Sequence, residues 1–449
     1  MRSSRALAAV AIAAATVTAA AACSGGGSSS STTTPTTSTS ASTSTSASAS
    51  ASTPTQTVTL TWWNNATSGT LLKVWQDAIK AFEAANPGVI IKNVPIQNEQ
   101  FTTKIPLALQ SSTPPDIYQQ WGSGAMQTQL KSGKLADISS QAQSWISGLG
   151  SAAGAWSNGG KWYGVPYDYH VVGFWYNKSD FQKAGISAPP TTIAQLESDD
   201  AKLKAANITP IAIGSKDRWP DAFWWEYFAL RECPTDTLKA AMKAINVSNP
   251  CFLKAGNDLK AFMATHPFQS GFLGTASQQG AGSSAGMVAN GKAAMELQGD
   301  WEPGVMAVLS TDKTLSSKLG WFPFPAVTGG AGAPTTLLGG GDGFSCTTGA
   351  TDACANFLKY IDSPPVQKKL VGANTGLPAN PAAASALTDP TLRQILAYSH
   401  ASPFIQNYFD IAFPTNVGQA VDNAVANFFA GQGSPATIIQ TVNQAASTS

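Results

Sequence analysis

Three short clusters in this chain carry the residue types that recognise an uncharged, hydroxyl-rich ligand. They are Trp62-Trp63-Asn64-Asn65, Gln97-Asn98-Glu99 and Gln119-Gln120-Trp121-Gly122. Each is made of aromatic, amide or carboxylate side chains, and none contains Lys or Arg. An aromatic ring covers an apolar C–H face, while planar polar groups exchange hydrogen bonds with hydroxyls. Further along, Trp219 follows Arg218 and Trp301 follows Asp300, which makes both rings stacking candidates. Tyr167, Asp168, Asp342, Gln406, Tyr408 and Arg218, which could clamp a hydroxyl or merely pair with Asp217, complete the candidate binding set, with Asn64, Asn65, Glu99 and Trp121 from the clusters. Each has a plainer role available: core packing for Trp, turn formation for Asn and a helix N-terminal charge for Glu99. Asp342 lies among glycines that let a backbone come close to a ligand.

Catalytic patterns are weak. Gly282-Ser283-Ser284-Ala285-Gly286 satisfies G-x-S-x-G. A nucleophile elbow needs an apolar strand just before it, and Ser277-Gln278-Gln279-Gly280-Ala281 is not one. The glycines at Gly339–Gly341 lack the Lys-Ser/Thr of a phosphate-binding loop. The three histidines, His170, His266 and His400, are scattered, so neither a metal nor a cofactor is expected. Paired acids of a glycoside hydrolase remain an alternative, because a sequence does not show their separation.

The elements that hold these clusters are legible. Val58 to Trp62 alternates as a strand, and Leu71, Leu72, Trp75, Ala78, Ile79 and Phe82 share one helical face before Asn86-Pro87-Gly88. A second strand, Val89 to Val94, a helix through Phe101, Ile105 and Leu109, and a third strand at Asp116 to Tyr118 follow. This β-α-β-α-β order predicts parallel strands with right-handed crossovers and a ligand at their carboxyl ends. The three clusters fall at those ends. Val171 to Asn177 reads as a strand crossing between lobes, Ile208 to Ile213 as another strand, and Lys292 to Leu297 as a helix. Val417–Phe429 and Ala436–Ala446 read as closing helices.

Composition narrows the class. Charged residues are 12% of the chain, about half of the common ~25%, and net charge is +1, which excludes recruitment of nucleic acid by charge. Residues 1–22 have the form of a signal peptide: Arg2 and Arg5, an apolar run, then Ala20-Ala21-Ala22. Cys23 stands where a bacterial lipoprotein carries its lipid. A disordered Ser/Thr-rich tether over 23–56 would then hold a body at 57–449 outside the cell, with the lipid as its only membrane contact. The remaining cysteines, Cys233, Cys251, Cys346 and Cys354, are even in number, as suits disulfides in an exported protein. Proximity pairs Cys233 with Cys251 and Cys346 with Cys354, although spacing leaves the other connectivities open.

The run of segments "LTWWNN", "FEAANPGVIIKNVPIQNE", "PPDIYQQWGSG", "WYGVPYDYHVVGFWYNKSDFQKAGISAPPTT" and "NGKAAMELQGDW" resembles the extracellular solute-binding lipoproteins of ABC sugar importers. The resemblance extends over the body from Thr57. It implies an α/β, two-lobe periplasmic-binding-protein-like fold with a multi-crossover hinge. The lobes are expected at about 57–165 plus 310–370 and about 166–309 plus 371–449. It also implies a sugar in the cleft, lobe closure and docking on a membrane permease. The reading is a monomeric binder of a neutral di- to trisaccharide that performs no chemistry. The alternatives are a secreted carbohydrate-active enzyme and a binder of another neutral solute.

Overall fold

The computed structural model describes residues 57–448; the signal segment, Cys23 and the Ser/Thr tract lie outside the described residues. Alternation in Val58–Asn64 buries Leu60 and Trp62 while Thr59 faces solvent. The following helix, Gly69–Ala85, buries Val74, Trp75, Ala78 and Phe82 at helical spacing. Val89–Pro95 then pairs in parallel with the first strand, from Val58 opposite Val89 to Asn64 opposite Pro95. Helix Phe101–Gln110 buries Phe101, Ile105 and Leu109, and strand Ile117–Gln120 lies parallel on the other side of the first strand. The β-α-β-α-β expectation therefore holds through residue 120. Two late arrivals complete a five-stranded sheet: Gly343–Cys346, antiparallel to Ile117–Gln120, and Val165–Pro166 beyond it.

A seven-stranded sheet forms the second lobe around the long strand Asp168–Asn177. That strand pairs antiparallel with Ala293–Gly299, which pairs in parallel with Thr209–Ile211. It also pairs with Leu319–Phe322, Leu337–Gly340 and Leu377–Pro378, and Ile405–Asn407 adds to Leu337–Gly340. Leu319–Phe322 and Leu337–Gly340 thus lie in the second sheet, and the chain returns to the first sheet at Gly343 rather than near 310.

Lys292–Leu297 is not helical. Strand Ala293–Gly299 occupies this stretch, buried along its whole length between two neighbours. Ala, Met, Glu and Leu are good helix formers, but a slot flanked by strands on both edges overrides that preference.

The chain passes between the sheets three times. It crosses from Val165–Pro166 to Asp168–Asn177, and back from Leu337–Gly340 to Gly343–Cys346. It crosses again from helix Pro364–Gly372, whose Val366 and Leu370 sit in the first core, to Leu377–Pro378. Disulfides Cys233–Cys251 and Cys346–Cys354 join the cysteines that proximity pairs, one in each lobe. Among the described residues no helix is long and apolar enough to cross a membrane.

Candidate functional site

A cleft of about 930 Å³ opens where the strand ends of the first sheet face the second lobe. Asn65, Glu99 and Trp121 line it from the first lobe, and Arg218, Trp219, Trp301 and Tyr408 from the second. Tyr167, Asp168 and Asp342 line it at the first two crossings. Two of the expected residues do not reach it. Asn64 is fully buried: its amide donates to Asn93 Oδ1 at 2.6 Å and its Oδ1 accepts from the Ala66 N–H, so it shapes the strand end. Gln406 lies inside the short strand opposite Leu338 and donates to the Asn407 carbonyl, whereas Tyr408, just past the strand, faces the cleft.

The aromatic groups are held by packing behind them. Trp301 lies in the turn after Ala293–Gly299, so close over Gly299 that a Cβ there would strike its ring. Its edge meets His170 at 4.8 Å between centroids. Trp219 begins helix Trp219–Glu232, and its ring centre lies 6.4 Å from that of Trp301. Phe223, one turn on, supports Trp219 and also Tyr408. The Nε1 of Trp219 is buried with no hydrogen-bond partner among the described residues. On the first lobe, Trp121 rests edge-on against Phe101. Gly122 follows it with φ of +72°, where a Cβ would lie 2.6 Å from the Ala155 carbonyl oxygen. Trp62 is core, and Trp63 packs against the small core that holds Phe101, Ile105 and Leu109 and does not line the cleft.

The floor of the cleft is built around His170, which is 3% exposed. Its Nδ1 lies 2.6 Å from Asp300 Oδ1, and its Nε2 lies 3.1 Å from Asp168 Oδ1 and 3.6 Å from Asp342 Oδ2. Asp342 also gives its backbone N–H to Asp168 Oδ1, and its Oδ2 accepts from the Tyr167 hydroxyl at 3.2 Å. Burial lifts the Asp168 carboxyl to about 7, with His170 opposing and Asp342 reinforcing the rise. Burial alone would lower the His170 imidazole, but Asp168 and Asp300 overcome it and hold the ring well above its ordinary value. Gly376, at φ +137°, lets the third crossing lie against the imidazole, where a side chain would collide.

Other contacts were not anticipated. Gln279 Nε2 donates to Glu99 Oε2 at 3.0 Å, joining the two lobes at the cleft. Burial raises the Glu99 carboxyl, and its own backbone N–H opposes that rise. Arg218 bonds Asn423 rather than Asp217, whose carboxylate accepts the Ser277 N–H. Asp410 and Asp422 line the second-lobe side, with fully buried Glu226 behind them. Burial lifts Asp410 to about 7 and Asp422 and Glu226 well above the usual carboxylate range. His170 and Asp300 bore no spacing signal, because their partners lie on three separate segments. Ser284 of the G-x-S-x-G match is fully buried, donates to the Ser277 carbonyl, and opens a short helix instead of following a strand.

Two α/β lobes joined by three crossings around an aromatic, carboxyl-lined cleft define a periplasmic-binding-protein-like fold. The chain belongs to the family described as bacterial extracellular solute-binding protein, which matches residues 66–368. An uncharacterized ABC transporter extracellular-binding protein of Pyrococcus horikoshii, PH1214, is 26% identical over 257 residues, 54% of this chain and 55% of that one. A probable sugar-binding periplasmic protein of Mesorhizobium japonicum is 24% identical over 255 residues, 55% and 58% of the two chains. The chain thus aligns with little more than half of each of these two curated relatives. A structure described for xylan utilization by Caldanaerobius polysaccharolyticus is 26% identical and superposes with a TM-score of 0.79, covering 86% of this chain and 99% of that one. A chitin oligosaccharide binding protein superposes at 0.76 with 22% identity, over 86% and 98%. A binding protein in complex with raffinose superposes at 0.70 with 19% identity, over 87% and 100%.

Proposed function

We propose that this protein captures a neutral di- to trisaccharide outside the cell and delivers it to an ABC transporter permease by closing its lobes. The observation that carries the reading is the pair Trp219 and Trp301, held over a floor of buried carboxyls and an imidazole. Such a surface offers a ring face to a pyranose and fixed polar groups to its hydroxyls. A cleft of about 930 Å³ lies in the upper part of the roughly 300–1,000 Å³ range of ligand pockets. The probable sugar-binding relative, the structure described for xylan utilization and the raffinose complex support the same class. Closure shifts an equilibrium between open and closed lobes, and the closed form is the one a permease receives. In this reading the protein is a monomer, tethered by lipid on Cys23, and it performs no chemistry.

Intrinsic Trp fluorescence of the body from residue 57, titrated with neutral di- and trisaccharides and repeated by calorimetry, tests the proposal. A saturable one-site change at micromolar sugar, with the sugar recovered intact, is the expected result. Product in excess of protein overturns the binding-only reading, and silence across the whole panel overturns the sugar class.

A further inference from the structure

We infer that Asp168, His170 and Asp342 form a divalent metal site at the hinge end of the cleft. The sequence holds no metal-ligand spacing, yet the fold brings these three together from two crossings. Asp168 and His170 open the strand Asp168–Asn177, and Asp342 sits between Leu337–Gly340 and Gly343–Cys346. One donor atom from each lies within 4.8 Å of the others.

The imidazole is oriented as a ligand. With Nδ1 against Asp300 Oδ1 at 2.6 Å, the ring turns Nε2 toward Asp168 and Asp342, and release of the Nε2 proton frees a lone pair for a metal ion. Among the described residues the buried Nε2 has no well-aligned hydrogen-bond partner, with Asp168 Oδ1 and Asp342 Oδ2 standing 3.1 and 3.6 Å away. Zinc holds nitrogen and oxygen donors at roughly 2.0–2.2 Å, so two donors around a tetrahedral ion lie about 3.3 Å apart. The two observed separations bracket that value. A proton on Nε2 and a metal ion compete for the same lone pair.

The supports of a metal centre are present too. Asp300 fixes the ring, Tyr167 holds Asp342 Oδ2, and the Asp342 N–H holds Asp168 Oδ1. All three ligands also line the cleft, which leaves a coordination position toward bound solute. One imidazole, which gives up its Nε2 proton on binding, and two carboxylates suit zinc, cobalt or manganese better than a soft ion. This site draws on the same floor as the sugar reading, but its test reads the bound ion itself, so its failure leaves that reading standing.

The test uses the chelator-treated chain titrated with Zn²⁺ by calorimetry and with Co²⁺ by visible absorption. The expected result is one ion per chain at micromolar or lower concentration, with Co²⁺ absorption of a nitrogen- and oxygen-liganded centre. Asp342→Asn, a partly exposed position, and His170→Ala should each weaken binding at least 10-fold. Asp300→Asn should weaken it by about 10–100-fold through loss of ring orientation. His400→Ala should bind as wild type, and melting curves confirm that each variant is folded. No ion bound by wild type overturns the site, as does binding that survives both Asp342→Asn and His170→Ala in folded protein.

Discussion

The two sides of the cleft are built differently. The first lobe mounts Asn65, Glu99 and Trp121 at strand ends, held by single hydrogen bonds: the Asn65 amide reaches Asn98 Oδ1 at 3.4 Å, and Glu99 accepts from Gln279 of the other lobe at 3.0 Å. The hinge and second lobe set Trp219, Trp301 and Tyr408 over buried ionisable groups: His170 with Asp168 and Asp300, and Glu226 with Asp410 and Asp422. Groups at strand ends adjust cheaply, whereas groups over buried charge are fixed before any ligand arrives. Preorganisation therefore belongs mainly to the second side, and adaptability to the first.

His170→Ala strikes the fixed side hardest. It leaves Asp168 and Asp300 buried without their partner, and removing one member of a buried charge cluster costs about 3–5 kcal/mol. Denaturant unfolding should show that loss, and a change below about 1 kcal/mol would mean the floor is not organised around the imidazole.

Next come the rings. Trp301→Ala should weaken sugar binding roughly 100-fold, the loss of about 2.8 kcal/mol of covered aromatic surface, and Trp121→Ala roughly 10-fold. Calorimetry on both variants checks the order, and equal losses would erase the distinction between the sides.

Glu226→Gln gives the smallest effect and the sharpest one. Burial raises the Glu226 carboxyl well above its ordinary value, with Asp410 and Asp422 facing it adding to the rise and the Phe409 N–H opposing it. Arg218 bears on Asp422. The folded protein then holds a proton there that the unfolded chain has released. Stability from this group falls as pH rises from the ordinary carboxylate value toward the folded one. Glu226→Gln should be within about 1 kcal/mol of wild type at pH 5 and should flatten the decline on the alkaline side. Melting temperatures from pH 5 to 9 would show it, and parallel curves for the two proteins would refute it.

The first lobe was largely legible because its signals are local. Alternation in Val58 to Trp62, the 3–4 spacing of Trp75, Ala78 and Phe82, and the stop at Asn86-Pro87-Gly88 depend on neighbours in the chain. The second lobe was less so. Ala293–Gly299 is a strand only because two other strands flank it. Asn64 and Gln406 have the right chemistry, but a turn and a strand pairing draw them away from the cleft. His170 looks like an isolated histidine until the fold carries Asp300 and Asp342 to it. Trp219 and Trp301 stood out because each follows a charged residue at the end of an element.

The position of Gly343–Cys346 sets a timetable for the nascent chain. That strand fills the gap between Ile117–Gln120 and Val165–Pro166. The first lobe therefore stays open-edged while the 177 residues from Pro166 to Gly343 (343 − 166) are made. At bacterial elongation rates that interval is about 9–35 s. Throughout it, Ile117–Gln120 and Val165–Pro166 lack the strand that joins them in the finished sheet.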